Sequence, residues 1–318
     1  WEKSLAEENQ EAAVKGEGSF CEYVDFGDGV IKYTKDGASY IDGRGKTIWI
    51  QSYEMKSPFV SVNGEFAAIG DKQGNSIYIC DRSGCQGQAT TALPILSLSV
   101  SAKGVVASVQ EDSKASYIYL YKKDGSALDI YVKSLLSGDG YPVDVSLSPG
   151  GTQWITSFMY LDQGMIKNKI VFYNLVLEKM ILSEWLEFSF RKICDAMAGQ
   201  ESGFLEWKAT AVIFTDKGLQ FFLHQMETSP ESVNQILLDE NVRSISYTDK
   251  YAGVITDNGE GADPYCLRVY RPDGSQVFET TFSYQYTGFD IDGDLSHCIM
   301  IIPAVFTTWR ERKNSAEV

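Results

Sequence analysis

A short apolar strand followed by a polar turn recurs along nearly the whole chain, and this repeat limits the possible folds more than any other feature. Successive copies lie roughly 40–50 residues apart, an interval typical of repeat proteins. The six clearest copies are at 39–43, 77–81, 118–121, 170–173, 219–222 and 267–270. Because each unit contains several short strands, the pattern predicts an all-β, seven-bladed β-propeller rather than a helical solenoid.

A second repeated element, a polar residue with glycine between two strands, supports the repeat. SVNG at 61–64, SAKG at 101–104 and SPGG at 148–151 supply tight-turn residues. The turn signature is lost near Gly203 and at 248–251. The predicted blades are 20–54, 55–93, 94–135, 141–187, 188–240, 241–282 and 283 onward.

The fourth and fifth units are the longest, so we expect insertions at 161–164 and around 196–206. The segment 178–190 has both a strand and a short-helix interpretation, and the strand is favoured because an outer blade strand is due there.

The two ends of the chain differ from the repeats. Residues 1–18 are rich in helix formers with acidic residues near their start, which predicts a helical stem before a propeller at 19–318. After Asp294 the sequence lacks a final hairpin signature, so the last blade is predicted to be atypical or incomplete. A change of reading frame near Ser296 is one hypothesis for this tail.

Composition and charge limit the partners. The chain has 318 residues, 44% of them hydrophobic, which suffices for a continuous core, and a formal net charge of −15. Such a charge repels phosphate backbones and anionic lipids, so nucleic-acid binding is not expected. No stretch approaches the ~20 apolar residues of a membrane helix. Because the chain begins at Trp1, we expect that an upstream export signal or anchor was removed, with the propeller outside the cytoplasm or at the cell surface.

Six cysteines, at 21, 80, 85, 194, 266 and 298, are too sparse for a disulfide scaffold. Cys80 and Cys85 flank a plausible hairpin turn and could face each other across two strands. A disulfide and a reduced pair both remain open. No second metal-type pair follows them, so zinc is not expected.

The groups that most often perform acid–base or metal chemistry are few. His224 lies at the end of a strand pattern and His297 beside Cys298, where alternation points the two side chains to opposite faces. DIDGD at 290–294 fails the calcium-loop pattern. Leu295 stands where the loop requires glycine, and Ile301 stands where it requires a glutamate ligand. The acidic loop 257–263 is interpreted as a solvated loop. We therefore predict no catalytic, cofactor-binding or metal-binding residue and no cofactor.

Aromatic residues are plentiful, and most fall in strand patterns where packing between blades explains them. Four lie near turns and are candidates for stacking on sugars: Tyr141, Tyr160, Trp207 and Tyr265.

Several turns resemble those of known propellers. DGRGKTIW at 42–49 is similar to the turn and docking tryptophan of quinoprotein-type repeats, with weaker versions at 124–128 and 273–278. SPGG at 148–151 is similar to the first turn of WD-type blades, although the Trp-Asp dipeptide is absent. Over about residues 16–295 the chain resembles a bacterial family of membrane-anchored, WD-like propellers without an assigned function. The resemblance implies no catalytic residues, and no ligand set for a quinone cofactor is present.

These observations favour a non-enzymatic, extracytoplasmic binding or scaffold protein, because a rigid ring would present loops from several blades as one surface. We expect a protein or cell-surface partner, and membrane contact only through a segment outside this sequence. One alternative is a hydrolase or lyase acting on glycans or cell-wall material, with converging carboxylates of raised pKa. The other is the sensory domain of a membrane protein. The ligand, the face that binds it and the oligomeric state stay unassigned.

Overall fold

The computed structural model describes residues 20–135, 137–176, 179–188, 190–198, 208–215, 218–225, 231–248, 250–259, 263–286, 288–291, 298–302 and 305–309. The chain divides into two compact units, Trp1–Trp185 and Leu186–Val318. The described residues contain strands and turns but no helix. The predicted helical stem at 1–18 lies outside them.

The described strands of the first unit form four antiparallel sheets, each built from four consecutive strands in chain order. The first sheet is β1 (Cys21–Phe26), β2 (Gly29–Thr34), β3 (Gly37–Ile41) and β4 (Thr47–Ser52), and the second is β5 (Pro58–Asn63), β6 (Phe66–Asp71), β7 (Ser76–Asp81) and β8 (Gly84–Thr90). The third is β9 (Ile95–Val100), β10 (Val106–Glu111), β11 (Ala115–Tyr121) and β12 (Ala127–Leu135). The fourth is β13 (Tyr141–Leu147), β14 (Gln153–Asp162), β15 (Met165–Val176) and β16 (Lys179–Phe188), whose end passes the division.

In the second unit, the described strands form two four-stranded sheets and one three-stranded sheet. The fifth sheet is β17 (Phe190–Ala198), β18 (Lys208–Thr215), β19 (Gly218–Gln225) and β20 (Glu231–Leu237). The sixth is β21 (Val242–Tyr247), β22 (Ala252–Asp257), β23 (Tyr265–Tyr270) and β24 (Gln276–Phe282), and the last is β25 (Gly288–Ile291), β26 (Cys298–Ile302) and β27 (Val305–Trp309). β16 confirms the strand interpretation of 178–190, and the short-helix interpretation is wrong.

Burial along the strands shows how the sheets are covered. In β10 and β22, five consecutive residues are buried, so both faces of these strands are covered. The fourth strand β12 instead alternates between exposed and partly buried residues over most of its length. Continuous burial therefore marks these middle strands, and alternation marks the outer strand, as expected for sheets stacked face to face.

Neighbouring sheets contact each other through their first strands. In the first unit β1 contacts β5, β5 contacts β9 and β9 contacts β13, while in the second unit β21 contacts β25. Serine hydroxyls join these strands by accepting hydrogen bonds from backbone N–H groups of the next sheet. The accepting oxygens and donor nitrogens are Ser61 Oγ with Val100 N at 3.1 Å, Ser99 Oγ with Leu147 N at 2.9 Å, and Ser246 Oγ with Ile291 N at 3.1 Å.

Trp49 makes a contact between the first and second sheets. Its indole Nε1 donates to the backbone oxygen of Asp81, 3.0 Å away, at the turn between β7 and β8. Its ring also lies 6.2 Å from that of Tyr40, measured between centroids. The tryptophan after the 42–46 turn therefore contacts the next sheet, as the resemblance of 42–49 to a docking turn implies.

Two turns between the first and second strands of a sheet are held by a side-chain hydroxyl. Ser101 Oγ accepts from the backbone nitrogens of Lys103 and Val105, at 3.3 and 3.0 Å. Thr248 Oγ1 accepts in the same way from Lys250 and Tyr251, at 3.2 and 3.1 Å. The turn at 248–251, whose sequence lacks the repeated signature, therefore keeps the hydroxyl contacts without the glycine.

Candidate interaction surface

The hairpin of β14 and β15 extends far beyond the corresponding hairpin of the preceding sheet. It contains ten residue pairs, from Gln153↔Asn174 to Asp162↔Met165, whereas β10 and β11 contain six. Gln163 and Gly164 close it with φ values of 49° and 81°, the left-handed conformations of a tight hairpin turn. The predicted insertion at 161–164 is therefore an extension of this hairpin.

One face of this hairpin is packed at its base and internally paired at its end. At the base, Trp154 and Tyr173 stack with ring centroids 5.0 Å apart, in a core cluster that includes residues of the third sheet. Further out, Lys169 Nζ lies 5.6 Å from the ring centroid of Phe158 and 5.5 Å from that of Tyr160. Lys167 Nζ lies 2.6 Å from Asp162 Oδ2.

The opposite face ends in exposed apolar side chains. Leu161 and Ile166 are direct cross-strand partners, with 73% and 66% of their surfaces exposed, and Met159 on the same face is 38% exposed. Met165, beside the turn, is also 60% exposed, but as the cross-strand partner of Asp162 it lies on the face of the ion pair. We call Met159, Leu161 and Ile166 the apolar hairpin end. Adjacent exposed apolar side chains of this kind are typical of an interaction site, whereas single ones are ordinary.

This arrangement gives the hairpin end two different faces. The ion pair and the cation–π contacts satisfy the polar groups of one face within the hairpin. The apolar groups of the other face gain free energy only when something covers them, about 1.5–3 kcal/mol for each large side chain fully buried. The apolar face of the hairpin end is therefore suited to binding.

The predicted sugar-stacking residues are not brought together as one platform within the described residues. Tyr141 Oη donates a hydrogen bond to Glu111 Oε2 at 2.6 Å. The pKa of Tyr141 is raised mainly by burial and also by this hydrogen bond. Tyr160 lies on the paired face of the hairpin. Tyr265 packs against Phe282, with centroids 5.3 Å apart. Trp207 lies outside the described residues.

The other candidate groups have structural partners or cannot be placed. In the acidic loop, Asp257 Oδ1 accepts from Arg243 Nε at 2.7 Å and Asp263 Oδ2 from Thr281 Oγ1 at 2.8 Å. The backbone of His224 belongs to β19, while His297 and residues 292–294 lie outside the described part. Among the residues that the structure describes, no group of three His, Cys, Asp or Glu side chains is arranged to hold a metal ion.

Described aspartates with shifted pKa values are held in the ionised form. A hydrogen bond from Tyr40 Oη, 2.6 Å away, lowers the pKa of Asp28. The backbone N–H groups of Lys114 and Ala115 lower that of Asp112, and the hydroxyl of Ser126 lowers that of Asp124. These carboxylates stabilise turns, whereas a glycosidase acid requires a raised pKa.

The sheet architecture places the chain among β-propellers. By structure, it is similar to the Dos1 propeller, with a TM-score of 0.55 and 10% identity over 88% of this chain and 75% of that one. It is also similar to KlAtg21 in its complex with the coiled-coil of AgAtg16, with a TM-score of 0.51 and 13% identity over 80% and 82% of the two chains. A eukaryotic initiation factor gives 0.51 and 8% identity over 90% and 71%.

Sequence comparison then identifies the family. The model of DUF5711, a family of unknown function, matches residues 3–300, and the chain belongs to this family. No curated protein matches the chain significantly in sequence. No helix among the described residues is long and apolar enough to cross a membrane.

Proposed function

We propose that this chain is a non-enzymatic binding or scaffold protein, in which the sheets close into a seven-bladed propeller with an incomplete last blade. The contacts between first strands and the serine bonds that join them support this arrangement. A rigid assembly of this kind would hold its protruding loops in fixed positions, so little entropy would be lost when they bind.

The observation that carries the proposal is the apolar hairpin end. Its exposed side chains lie on a hairpin whose base is buried in the core of the fourth sheet, so they are presented at a fixed position. Aliphatic and thioether side chains suit an apolar surface of a partner, with methionine adapting to its shape.

A protein is the occupant that charge favours. The whole chain carries a formal charge of −15, which opposes approach to an anionic bilayer or to a second copy of the same chain. We therefore propose a protein partner that presents an apolar patch. KlAtg21, which shares the fold, forms a complex with a coiled-coil.

We further propose that the protein acts outside the cytoplasm of a bacterium, held near the membrane by a segment outside this sequence. The resemblance of its turns to those of membrane-anchored propellers supports this location. Protease treatment of intact cells tests it, since an extracytoplasmic domain would be cleaved while a cytoplasmic marker would not.

A matched pair of variants tests the binding surface. The immobilised chain is used to capture partners from surface extracts, in wild-type form, as Leu161→Glu/Ile166→Glu, and as Ile50→Glu. Ile50 in β4 is 75% exposed, so it matches the exposure of Leu161 without belonging to the hairpin. We expect a protein that binds wild type and Ile50→Glu and binds the double variant at least about tenfold more weakly, the equivalent of about 1.4 kcal/mol.

Three results would contradict the proposed surface. Capture of every partner unchanged by the double variant would place binding elsewhere. Flotation with anionic vesicles that depended on Leu161 and Ile166 would identify a lipid occupant. Sedimentation showing a dimer that the double variant abolishes would identify a second copy of the chain.

A further inference from the structure

Two cysteines face each other across the hairpin of β7 and β8 in the second sheet. Asp81 and Gly84 are the last cross-strand pair before the turn, and Cys80 and Cys85 are the next pair. Directly paired residues of antiparallel strands have Cα atoms about 4.5–5.5 Å apart. This separation lies within the range that a disulfide spans.

The two thiols have different surroundings. Cys80 is fully buried and Cys85 is exposed, and both are free thiols joined by a hydrogen bond. That bond, helped by the backbone N–H groups of Gly87 and Ile79, lowers the pKa of Cys85 to about 6. The same bond and burial raise the pKa of Cys80. An exposed thiolate beside a buried thiol is the arrangement of an attacking and a resolving cysteine.

We propose that Cys80 and Cys85 form a thiol–disulfide exchange site. The two thiols are oxidised by the disulfide of a small thiol or of a partner oxidoreductase. The Cys85 thiolate attacks one sulfur of the incoming disulfide, forms a mixed disulfide and releases one thiolate, which takes up a proton. Cys80 then loses its proton and attacks the Cys85 sulfur, releasing the second thiol. The two cysteines are oxidised to a disulfide, and the incoming disulfide is reduced to two thiols.

The position of this site gives the oxidation a structural effect. The turn between the two cysteines contacts the first sheet in two ways. Trp49 Nε1 donates a hydrogen bond to the backbone oxygen of Asp81 at 3.0 Å, and Arg82 forms an ion pair with Asp28 at 4.0 Å. A disulfide at its base would restrict the unfolding of this turn. The site is independent of the partner that the apolar hairpin end binds.

Two further cysteines, Cys266 and Cys21, serve as controls. Cys266 is buried in β23, where its direct cross-strand partners are Thr256 and Thr281, and Cys21 is partly buried and pairs with Thr34. Neither is paired with another cysteine in the described sheets, so neither should form the same bond.

The test is peptide mapping of the full chain after equilibration in glutathione buffers of graded oxidising strength. Free thiols are trapped with acid and N-ethylmaleimide. We expect wild type to pass into a Cys80–Cys85 disulfide in one two-electron step, with a mass loss of about 2 Da. Cys80→Ser should instead retain glutathione on Cys85, whereas Cys85→Ser should leave Cys80 reduced and Cys266→Ser should behave as wild type.

The wild-type map decides the proposal even if a variant at buried Cys80 folds poorly. If both cysteines are recovered alkylated from the most oxidising buffer, the exchange site is refuted. Glutathione retained on wild-type Cys85 without closure of the disulfide also refutes it, because Cys80 would then not act as the resolving thiol.

Discussion

In the third and fourth sheets, the second and third strands form hairpins that start alike and end differently. The hairpin of β10 and β11 stops after six pairs, and Asp112 closes it by accepting the backbone nitrogens of Lys114 and Ala115 at 2.7 and 2.8 Å. The hairpin of β14 and β15 begins with a buried bond from Gln153 Nε2 to Asn174 Oδ1 at 2.8 Å and continues for ten pairs.

The difference separates the residues that maintain the fold from those that are free for binding. Residues 153–158 of β14 are buried, as are the first five residues of β10. Beyond them β14 adds four residues whose side chains are exposed or partly exposed, and Leu161 is among the most exposed large apolar side chains described. The extension adds little to the core, so its apolar face is explained better by binding than by stability.

The largest expected effect comes from truncating the base of the long hairpin rather than its end. Trp154→Ala removes a side chain that is 1% exposed and stacked on Tyr173, and should lower the free energy of unfolding by about 3–5 kcal/mol. Leu161→Ala should change it by no more than about 0.5 kcal/mol. Urea titration followed by circular dichroism measures both, and equal losses would remove the distinction between base and end.

A smaller effect is expected at the turn of the long hairpin. Gln163 has a φ of 49°, a conformation that costs a non-glycine residue roughly 1–2 kcal/mol. Gln163→Gly relieves this cost and loses about 0.5–1 kcal/mol through the greater freedom of the unfolded chain. We expect a net stabilisation of up to about 1 kcal/mol in the same titration, with Gln163→Ala giving none. Destabilisation by glycine would show that the Gln163 side chain holds the turn.

The smallest effect should be a pH dependence at the turn of the short hairpin. Because the pKa of Asp112 is lowered in the folded chain, its contribution to stability is present above the unfolded pKa of about 3.9 and is lost as pH falls through the folded pKa. Wild type should therefore exceed Asp112→Asn in urea midpoint at pH 6, and the gap should close below about pH 4. A gap that is constant with pH would exclude the ionised carboxylate as its cause.

Much of the architecture could be predicted from local sequence, because strand length and turn chemistry are local properties. The insertion at 161–164 and the strand at 179–188 follow from patterns within a few residues, and the contact made by Trp49 follows from the resemblance that residues 42–49 carry. The loss of the turn signature at 248–251 concerns the glycine, because the hydroxyl of Thr248 accepts backbone hydrogen bonds as that of Ser101 does.

Features that depend on distant segments could not be predicted. Ser99 and Ser246 bind backbone groups 48 and 45 residues away, and nothing in their local sequence distinguishes them from other strand serines. Leu161 and Ile166 have the same local pattern as buried strand residues, so their exposure emerges only once the neighbouring sheets are in place. For Cys80 and Cys85, the turn predicted that they face each other, but not that one is buried and the other exposed.

Photocross-linking from the apolar hairpin end tests the binding proposal most directly. A photoreactive amino acid is placed at position 161 in one chain and at position 50 in a matched chain, and both are irradiated with surface extract. The proposal predicts a covalent adduct with one protein from position 161 only, competed by unlabelled wild type and not by Leu161→Glu/Ile166→Glu. No adduct from position 161, or the same adduct from both positions, would contradict it.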